Sequence, residues 1–537
     1  MRHKLTIFAL LLCIASQAQG IKTDTGKIEG EYWYGGYTAK AYCNTPFDQL
    51  TFHPYPENFS GADLSKDNKG NQAAPLLISS KGRYVWSDEP FAFKLDEGEL
   101  IVYSEYEKVE VIDAGETLRD AYVTAMRKHF PPSGKTPDPL MFRMPQYNTW
   151  IELGPNQNQK DILKYASDII SNGFPTGVFM VDDGWAYDYG NFEFDSRHFP
   201  DPKAMVDELH AKGFKIMLWL TPFISPDSKE FSSLKDMGAL VLKKNSDEPA
   251  IIRWWNGYSA CLDLTKDIAM DWLTGKLKGL QEEYGIDGFK LDAADFDFYT
   301  AHDGTFRNGD TNTKGHVQSE LYARLGSTFP FNELRASWKN GNQPIAQRLQ
   351  DKGYSWQELT LLIPDMVSAG LIGHHFTCPD MIGGGLLGTF ENIGQFDQEL
   401  MIRSAQNQAL MPMMQFSVAP WRVLDKEHLA ICRAAALLHS EMGEEIYEMA
   451  MKAAQEGEPI VRHMEYEFPH QGFTHCMDQY MFGDKYLVAP MLTKGDTRKV
   501  TLPEGKWKDD TGKTYKGGRT IEISVPLDRL PYFIRIR

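Results

Sequence analysis

The chain has 537 residues, more than one hydrophobic core usually supports, so two or three domains are expected. A hydrophobic fraction of 42% with 12% aromatics excludes a disordered or fibrous chain. A formal charge of -17 excludes nucleic acid and anionic membrane as partners, since both are bound through clustered Lys and Arg, and it favours a neutral or weakly charged substrate.

Residues 1–18 read as a signal peptide. Met1-Arg2-His3-Lys4 forms a basic start, Leu5 to Ala15 an apolar run, and Ser16-Gln17-Ala18 a small-residue cleavage pattern. The apolar run is shorter than the roughly 20 residues a membrane span needs, so no membrane span is expected and the destination is secreted or periplasmic. After cleavage Cys43, Cys261, Cys378, Cys432 and Cys476 remain. This odd, scattered set forms neither a disulfide framework nor a zinc site. No metal and no cofactor are expected.

Residues 19–140 carry short β-type runs such as Tyr84-Val85-Trp86 and Leu100-Ile101-Val102-Tyr103, broken by Gly, Pro, Asn and Asp. They predict an N-terminal β-sandwich. Over residues 141–455 β-type runs alternate with amphipathic helical stretches, the pattern of parallel βαβ units. Strands are predicted at Thr149 to Leu153, Gly177 to Val181, Lys215 to Leu220, Gly288 to Leu291, Leu334 to Ser337, Pro344 to Arg348, Ile372 to Phe376 and Met411 to Phe416. Helices are predicted at Lys160 to Asn172, Pro202 to Lys212, Ile268 to Tyr284 and Trp356 to Ala369. The fold class is therefore α/β, a (β/α)8 TIM barrel, followed over residues 456–537 by a small C-terminal β-sandwich. Catalytic groups in such a barrel sit just past the C-terminal ends of strands.

That rule selects the run Gly285 to Asp295, which ends a strand on Lys290-Leu291-Asp292. Lys290 shares a strand face with Asp292, and a nearby ammonium keeps a carboxylate ionised, as a nucleophile must be. By itself the pair also suits a structural role. Asp351, at the end of another predicted strand, supplies the second carboxylate that glycoside hydrolysis needs, although alone it also suits a helix N-terminal acid.

A wider set of blocks occurs in order. These are Val181-Asp182-Asp183-Gly184-Trp185, Phe199-Pro200-Asp201-Pro202, Leu209 to Lys215, Lys290-Leu291-Asp292, the Asp351 to Trp356 spacing, Pro379-Asp380-Met381-Ile382-Gly383-Gly384, and Leu410 to Ser417. Together they resemble glycoside hydrolase family 31 from about Trp150 to Phe533. The resemblance implies Asp292 as nucleophile and Asp351 as acid/base of a retaining α-glycosidase. It also implies Asp182, Asp183, Trp219, Lys290, Arg335 and Asp380 as substrate-binding residues for an oligosaccharide or glycoside. Each has a plainer alternative: Asp182 or Asp183 capping a loop, Trp219 in the core, Arg335 pairing with Asp292 or Asp351, Asp380 holding the Gly383 to Gly385 turn. His374 and His375 are weaker candidates, placed at the end of a strand facing the site.

The strings Lys290 to Asp295 and Gln350-Asp351-Lys352 depart from the Trp-x-x-Glu and Gly-Asp-Asn of the family's typical α-glucosidases. They are more similar to the branch containing bacterial α-galactosidases and the myogenesis-regulating glycosidase. The Gln-Gln-Arg-Trp of sulfoquinovosidases is absent. An exo-acting enzyme for terminal α-galactosides is thus expected first and one for α-glucosides or α-xylosides second, with a catalytically silent carbohydrate-binding barrel as the reading from another class.

Overall fold

The computed structural model describes residues 20–38, 53–68, 70–105, 108–299, 311–390 and 396–536. The signal peptide expected at residues 1–18, and Cys43, lie outside the described residues. Among those residues no helix is long and apolar enough to cross a membrane.

Eight parallel strands form the central sheet: β1 (Gln146–Asn148), β2 (Val178–Val181), β3 (Lys215–Leu220), β4 (Gly288–Leu291), β5 (Phe331–Leu334), β6 (Gln347–Arg348), β7 (Thr377–Cys378) and β8 (Gln415–Phe416). They pair in the order β7-β6-β5-β4-β3-β2-β1-β8. Met381, just past β7, pairs in parallel with Gln415, and the Ile382 amide donates to the Gln415 carbonyl at 2.7 Å. This bridge closes the sheet into a barrel. A strand held in the middle of such a sheet buries both faces, and all four residues of β4 are buried. At Gly288 a Cβ would lie 1.9 Å from the Phe331 carbonyl oxygen, so only glycine allows β4 and β5 to approach there.

Local signals set the helices. Asn158 caps Gln159–Ser171, Asp201 caps Pro202–Ala211 with proline in its first turn, and Ser355 caps Trp356–Leu371, each accepting from a backbone amide three residues on. Asp267–Tyr284 ends on Gly285 in the left-handed conformation, at φ 81°, where glycine pays no Cβ penalty, and the chain turns there into β4.

Several strand expectations are corrected. The run Thr149 to Leu153 is not a strand: Trp150–Leu153 is one helical turn, and β1 precedes it. Likewise β5 ends at Leu334, and Ser337–Trp338 leaves the barrel to pair with Gln72–Ala73. Only at Thr377 does β7 begin, after the predicted Ile372 to Phe376.

Before the barrel lie two sheets. One has four strands, with Glu99–Ser104 central; the other is built on Gln72–Ser79. This region is not all-β, because Leu118–His129 is a helix with a capping box between Thr117 and Asp120. After the barrel come a six-stranded sheet and the pair Thr497–Leu502 with Arg519–Ser524.

Arg403, fully buried on helix Gln398–Ala409, docks these last sheets. Its guanidinium donates to the carbonyls of Val525, Pro526, Leu527, Arg529 and Gly495 at 3.0 to 3.4 Å. Removing one partner from buried acceptors costs on the order of 1–3 kcal/mol per stranded group. Arg403→Ala is therefore expected to destabilise the chain by roughly 3 kcal/mol or more, read as a lowered denaturation midpoint; an unchanged midpoint would refute this account of the docking.

Candidate active site

Along β4 the side chains alternate. Phe289 and Leu291 join the main hydrophobic core, while Lys290 takes the opposite face and Asp292 stands past the strand's C-terminal end. Asp292 is 8% exposed. Its Oδ1 accepts from Arg335 Nε at 3.1 Å and from the Ala293 amide at 2.9 Å, and its Oδ2 accepts from Trp219 Nε1 at 3.1 Å. Burial alone would raise the pKa of this carboxyl. Arg335 first, then Lys290 and Arg348, overcome burial and hold the carboxyl well below the usual carboxylate range.

Ala293 sits at φ 63°, a left-handed conformation costly for a residue with a Cβ. The turn it makes aims its own amide at the carboxylate, and strain of this kind concentrates at functional positions.

Lys290 helps keep Asp292 ionised, as expected, but without touching it. Its ammonium bonds Asp182 Oδ2 at 2.6 Å with both groups buried, so it acts on Asp292 through space, and the cation in contact is Arg335. Arg335 also grips Asp295 through Nη1 at 3.0 Å and Nη2 at 2.5 Å.

The N-terminal sheets buttress this clamp. Arg335 Nη1 donates to the Gly70 carbonyl at 2.6 Å, the Gln72 side-chain amide donates to the carbonyls of Arg335 and Arg348 at 2.5 and 3.1 Å, and the Gln350 amide donates to Asn71 at 2.7 Å. Gly70 has φ 67°, and a Cβ there would lie 2.7 Å from Gln350 Nε2 and 2.8 Å from Arg335 Nη1. Gly70→Ala therefore displaces Arg335. Small misplacements of a reacting constellation cost about 10- to 100-fold, so kcat should fall by roughly that factor with the fold intact by circular dichroism; an unchanged kcat would show that Arg335 tolerates displacement.

Asp351 follows β6. Its carboxyl is 25% exposed and its Oδ1 accepts from Arg348 Nη1 at 2.5 Å. The same nitrogen donates to Asp380 Oδ1 at 2.9 Å, and Arg348 Nε lies 3.3 Å from Glu333 Oε1. Asp380 is 1% exposed and its second oxygen accepts from the Lys352 amide at 2.8 Å. Burial pushes its carboxyl up, and Arg348 opposes that push. Both of its oxygens are bonded within the protein, and it underlies the Asp351 loop beside the turn in which the Gly384 amide donates to the Met381 carbonyl at 2.7 Å.

Asp182 is buried, whereas Asp183 reaches a cleft of about 190 Å³ lined by Trp185, Tyr187, Tyr189, Trp219 and Ser225. Asp183 accepts from Tyr189 at 3.1 Å and from Asn256 Nδ2 at 2.7 Å. Burial, and then Asp182, push Asp183 up to about 6. Trp219 lines the cleft, packs in the second core cluster and bonds Asp292.

His374 and His375 are not at the site. They precede β7 and so lie at its N-terminal end, opposite Asp292. Burial pushes both imidazoles down to about 3, and His375 bonds Asn342.

Sequence reasoning missed the hairpin of Ile252–Trp254 and Gly257–Cys261. At its tip Trp255, 48% exposed, has the Arg335 guanidinium 5.3 Å from its ring centre, and Asn256 bonds Asp183. Asn256-Gly257 between β-type residues is the signal that could have revealed it. Arg348 and Glu333 were missed too, because nothing in the local sequence marks a charged residue as facing a barrel's interior. Among the described residues no group of three or more His, Cys, Asp or Glu is placed to hold a metal ion.

A buried carboxylate stands at one strand end of a closed barrel with a second carboxylate at the same rim, an arrangement that suits two-carboxylate chemistry. The chain belongs to glycoside hydrolase family 31. The description "Glycosyl hydrolases family 31 TIM-barrel domain" matches residues 144–449 and "Glycosyl hydrolase family 31 C-terminal domain" matches residues 457–536. The chain is 31% identical over 433 residues to the myogenesis-regulating glycosidase of Mus musculus, covering 78% of this chain and 60% of that one. It is 26% identical over 504 residues to an alpha-xylosidase of Lactiplantibacillus pentosus, covering 86% and 62%. The chain thus spans about three fifths of the length of these relatives. Its fold superposes on the dextranase of Flavobacterium johnsoniae complexed with glucose, with a TM-score of 0.83 at 20% identity, covering 96% of this chain and 67% of that one.

Proposed function

We propose that this protein is a retaining, exo-acting α-glycosidase that removes terminal α-linked sugars, α-galactosides first and α-glucosides or α-xylosides second. The observation that carries this reading is the environment of Asp292, a buried carboxylate kept anionic by Arg335 at the mouth of the barrel. Oδ1 carries two donors and Oδ2 one, so Oδ2 keeps the freer lone pairs and attacks the anomeric carbon. As the C–O bond to the leaving group breaks, Asp351 gives that oxygen a proton. Asp351 then takes a proton from water as the water displaces Asp292 from the sugar, and two inversions give net retention.

The preference for galactose rests on the departures around Asp292 and Asp351 from the α-glucosidase strings. The α-xyloside reading is favoured by the second relative's name. Export to the periplasm or medium is proposed on the basic, apolar and small-residue pattern of residues 1–18. A panel of 4-nitrophenyl α- and β-glycosides, with the product anomer followed by proton NMR, tests the activity. Release from an α-glycoside with the α-anomer formed first is expected. Binding without release on every member would favour a silent carbohydrate-binding barrel instead.

A further inference from the structure

The surroundings of Asp351 pose a physical problem. A general acid gives a proton to the departing oxygen and later takes one back, and Asp351 does so 2.5 Å from the guanidinium of Arg348, which therefore loses and regains an anionic partner. If Asp351 simply took up a proton beside an otherwise unpaired Arg348, the chain would hold a bare buried cation, which is costly. The structure supplies two further anchors. Asp380 Oδ1 shares Arg348 Nη1 at 2.9 Å, and Glu333 Oε1 lies 3.3 Å from Arg348 Nε. Asp380, Glu333 and the guanidinium are all buried, while Asp351 is the partly exposed member of the set, the one that reaches outward.

Resting on the glycosidase reading, we infer that Arg348 is a positioning residue for Asp351, with its charge divided among Asp380 and Glu333 so that Asp351 exchanges a proton without stranding a buried cation. In the first step Asp351 gives its proton to the leaving oxygen and becomes a carboxylate that Arg348 holds. In the second it takes a proton from water, and Asp380 and Glu333 keep Arg348 paired. The charged groups facing Arg348 are Asp351, Asp380, Glu333 and Asp292, with Lys290 as a like charge. Asp351 also faces Arg335. Asp380 faces Lys352, whose ammonium pairs with Asp365 at 2.9 Å and faces Glu358.

Neutralising Asp380 or Glu333 removes an anionic anchor from Arg348, and the guanidinium no longer holds Asp351 in place. For an alkyl α-glycoside, whose leaving group needs the proton, kcat/KM should fall by about 10- to 100-fold in Asp380→Asn and in Glu333→Gln. For the matching α-glycosyl fluoride, whose leaving group does not need the proton, the loss should be at least about tenfold smaller. Should one variant fail to fold, the other carries the test, because the two act from different strands on the same guanidinium. No loss, or equal losses on the two substrates, in the folded variants, with the parent chain active, would overturn the clamp alone. Absence of turnover by the parent on every α-glycoside and α-glycosyl fluoride would sink the glycosidase reading, and the clamp with it.

Discussion

Replacing Asp292 by Asn is expected to abolish turnover of every glycoside the parent chain cleaves, by roughly 10⁴-fold or more, as for loss of a covalent nucleophile. The substitution keeps the shape of the side chain and an acceptor for Arg335 and Ala293. Arg335 also keeps Asp295 at 2.5 Å, so the buried cation is not stranded and the fold should survive. The loss is therefore chemical: a neutral amide cannot form the glycosyl ester. Retained turnover in a variant with the parent's circular dichroism and denaturation midpoint would remove Asp292 from the nucleophile's role.

Asp351→Ala is expected to behave differently. General acid catalysis is worth about 10²- to 10⁴-fold, so alkyl glycosides should lose activity in that range while an α-glycosyl fluoride loses far less in its first step. The second step then lacks a base, and the glycosyl-enzyme should accumulate. Azide, which attacks without a base, should restore turnover and yield an α-glycosyl azide. Azide fits the small gap left by the carboxylate, because Gly385 packs against it, its Cβ position only 3.0 Å from the Asp351 carboxyl. Equal losses on fluoride and alkyl glycosides, without azide rescue, would indicate a structural role for Asp351.

Asp292 was picked out by its strand end, and strand ends on a barrel are where chemistry is built, whereas Asp351 was picked out mainly by the family's block and its spacing to Trp356. The strands themselves were legible where they are apolar throughout. Lys215–Leu220 and Gly288–Leu291 fall where apolar runs predict them. Elsewhere the reading slid toward apolar neighbours. Gln146-Tyr147-Asn148 was passed over for the helical turn Trp150–Leu153, and Phe331-Asn332-Glu333-Leu334 for the run beginning at Leu334.

The cause is the polar interior at the barrel mouth. Gln415 Nε2 donates to Glu333 at 2.6 Å and to Gln146 at 3.3 Å, and Lys290 pairs with Asp182, so inward positions carry charges and amides that a hydrophobic-period reading takes for loops. Pairings were less legible than positions. Asn68 donates to the Ala294 carbonyl at 3.3 Å across 226 residues of chain, and no local pattern encodes a contact at that separation. Lys290, near in sequence, acts on Asp292 at a distance, whereas Arg335, expected as a partner of Asp292 or Asp351, makes the contact with Asp292.

The most direct test of the account is to trap the covalent intermediate. The parent chain would be treated with 5-fluoro α-glycosyl fluorides of the galacto, gluco and xylo series, digested with protease and sequenced by tandem mass spectrometry. The account predicts one glycosyl adduct per chain, on the Asp292 carboxyl, from the sugar the enzyme turns over. An adduct on Asp295, Asp351 or any other residue, or turnover with no adduct and an inverted product, would contradict it.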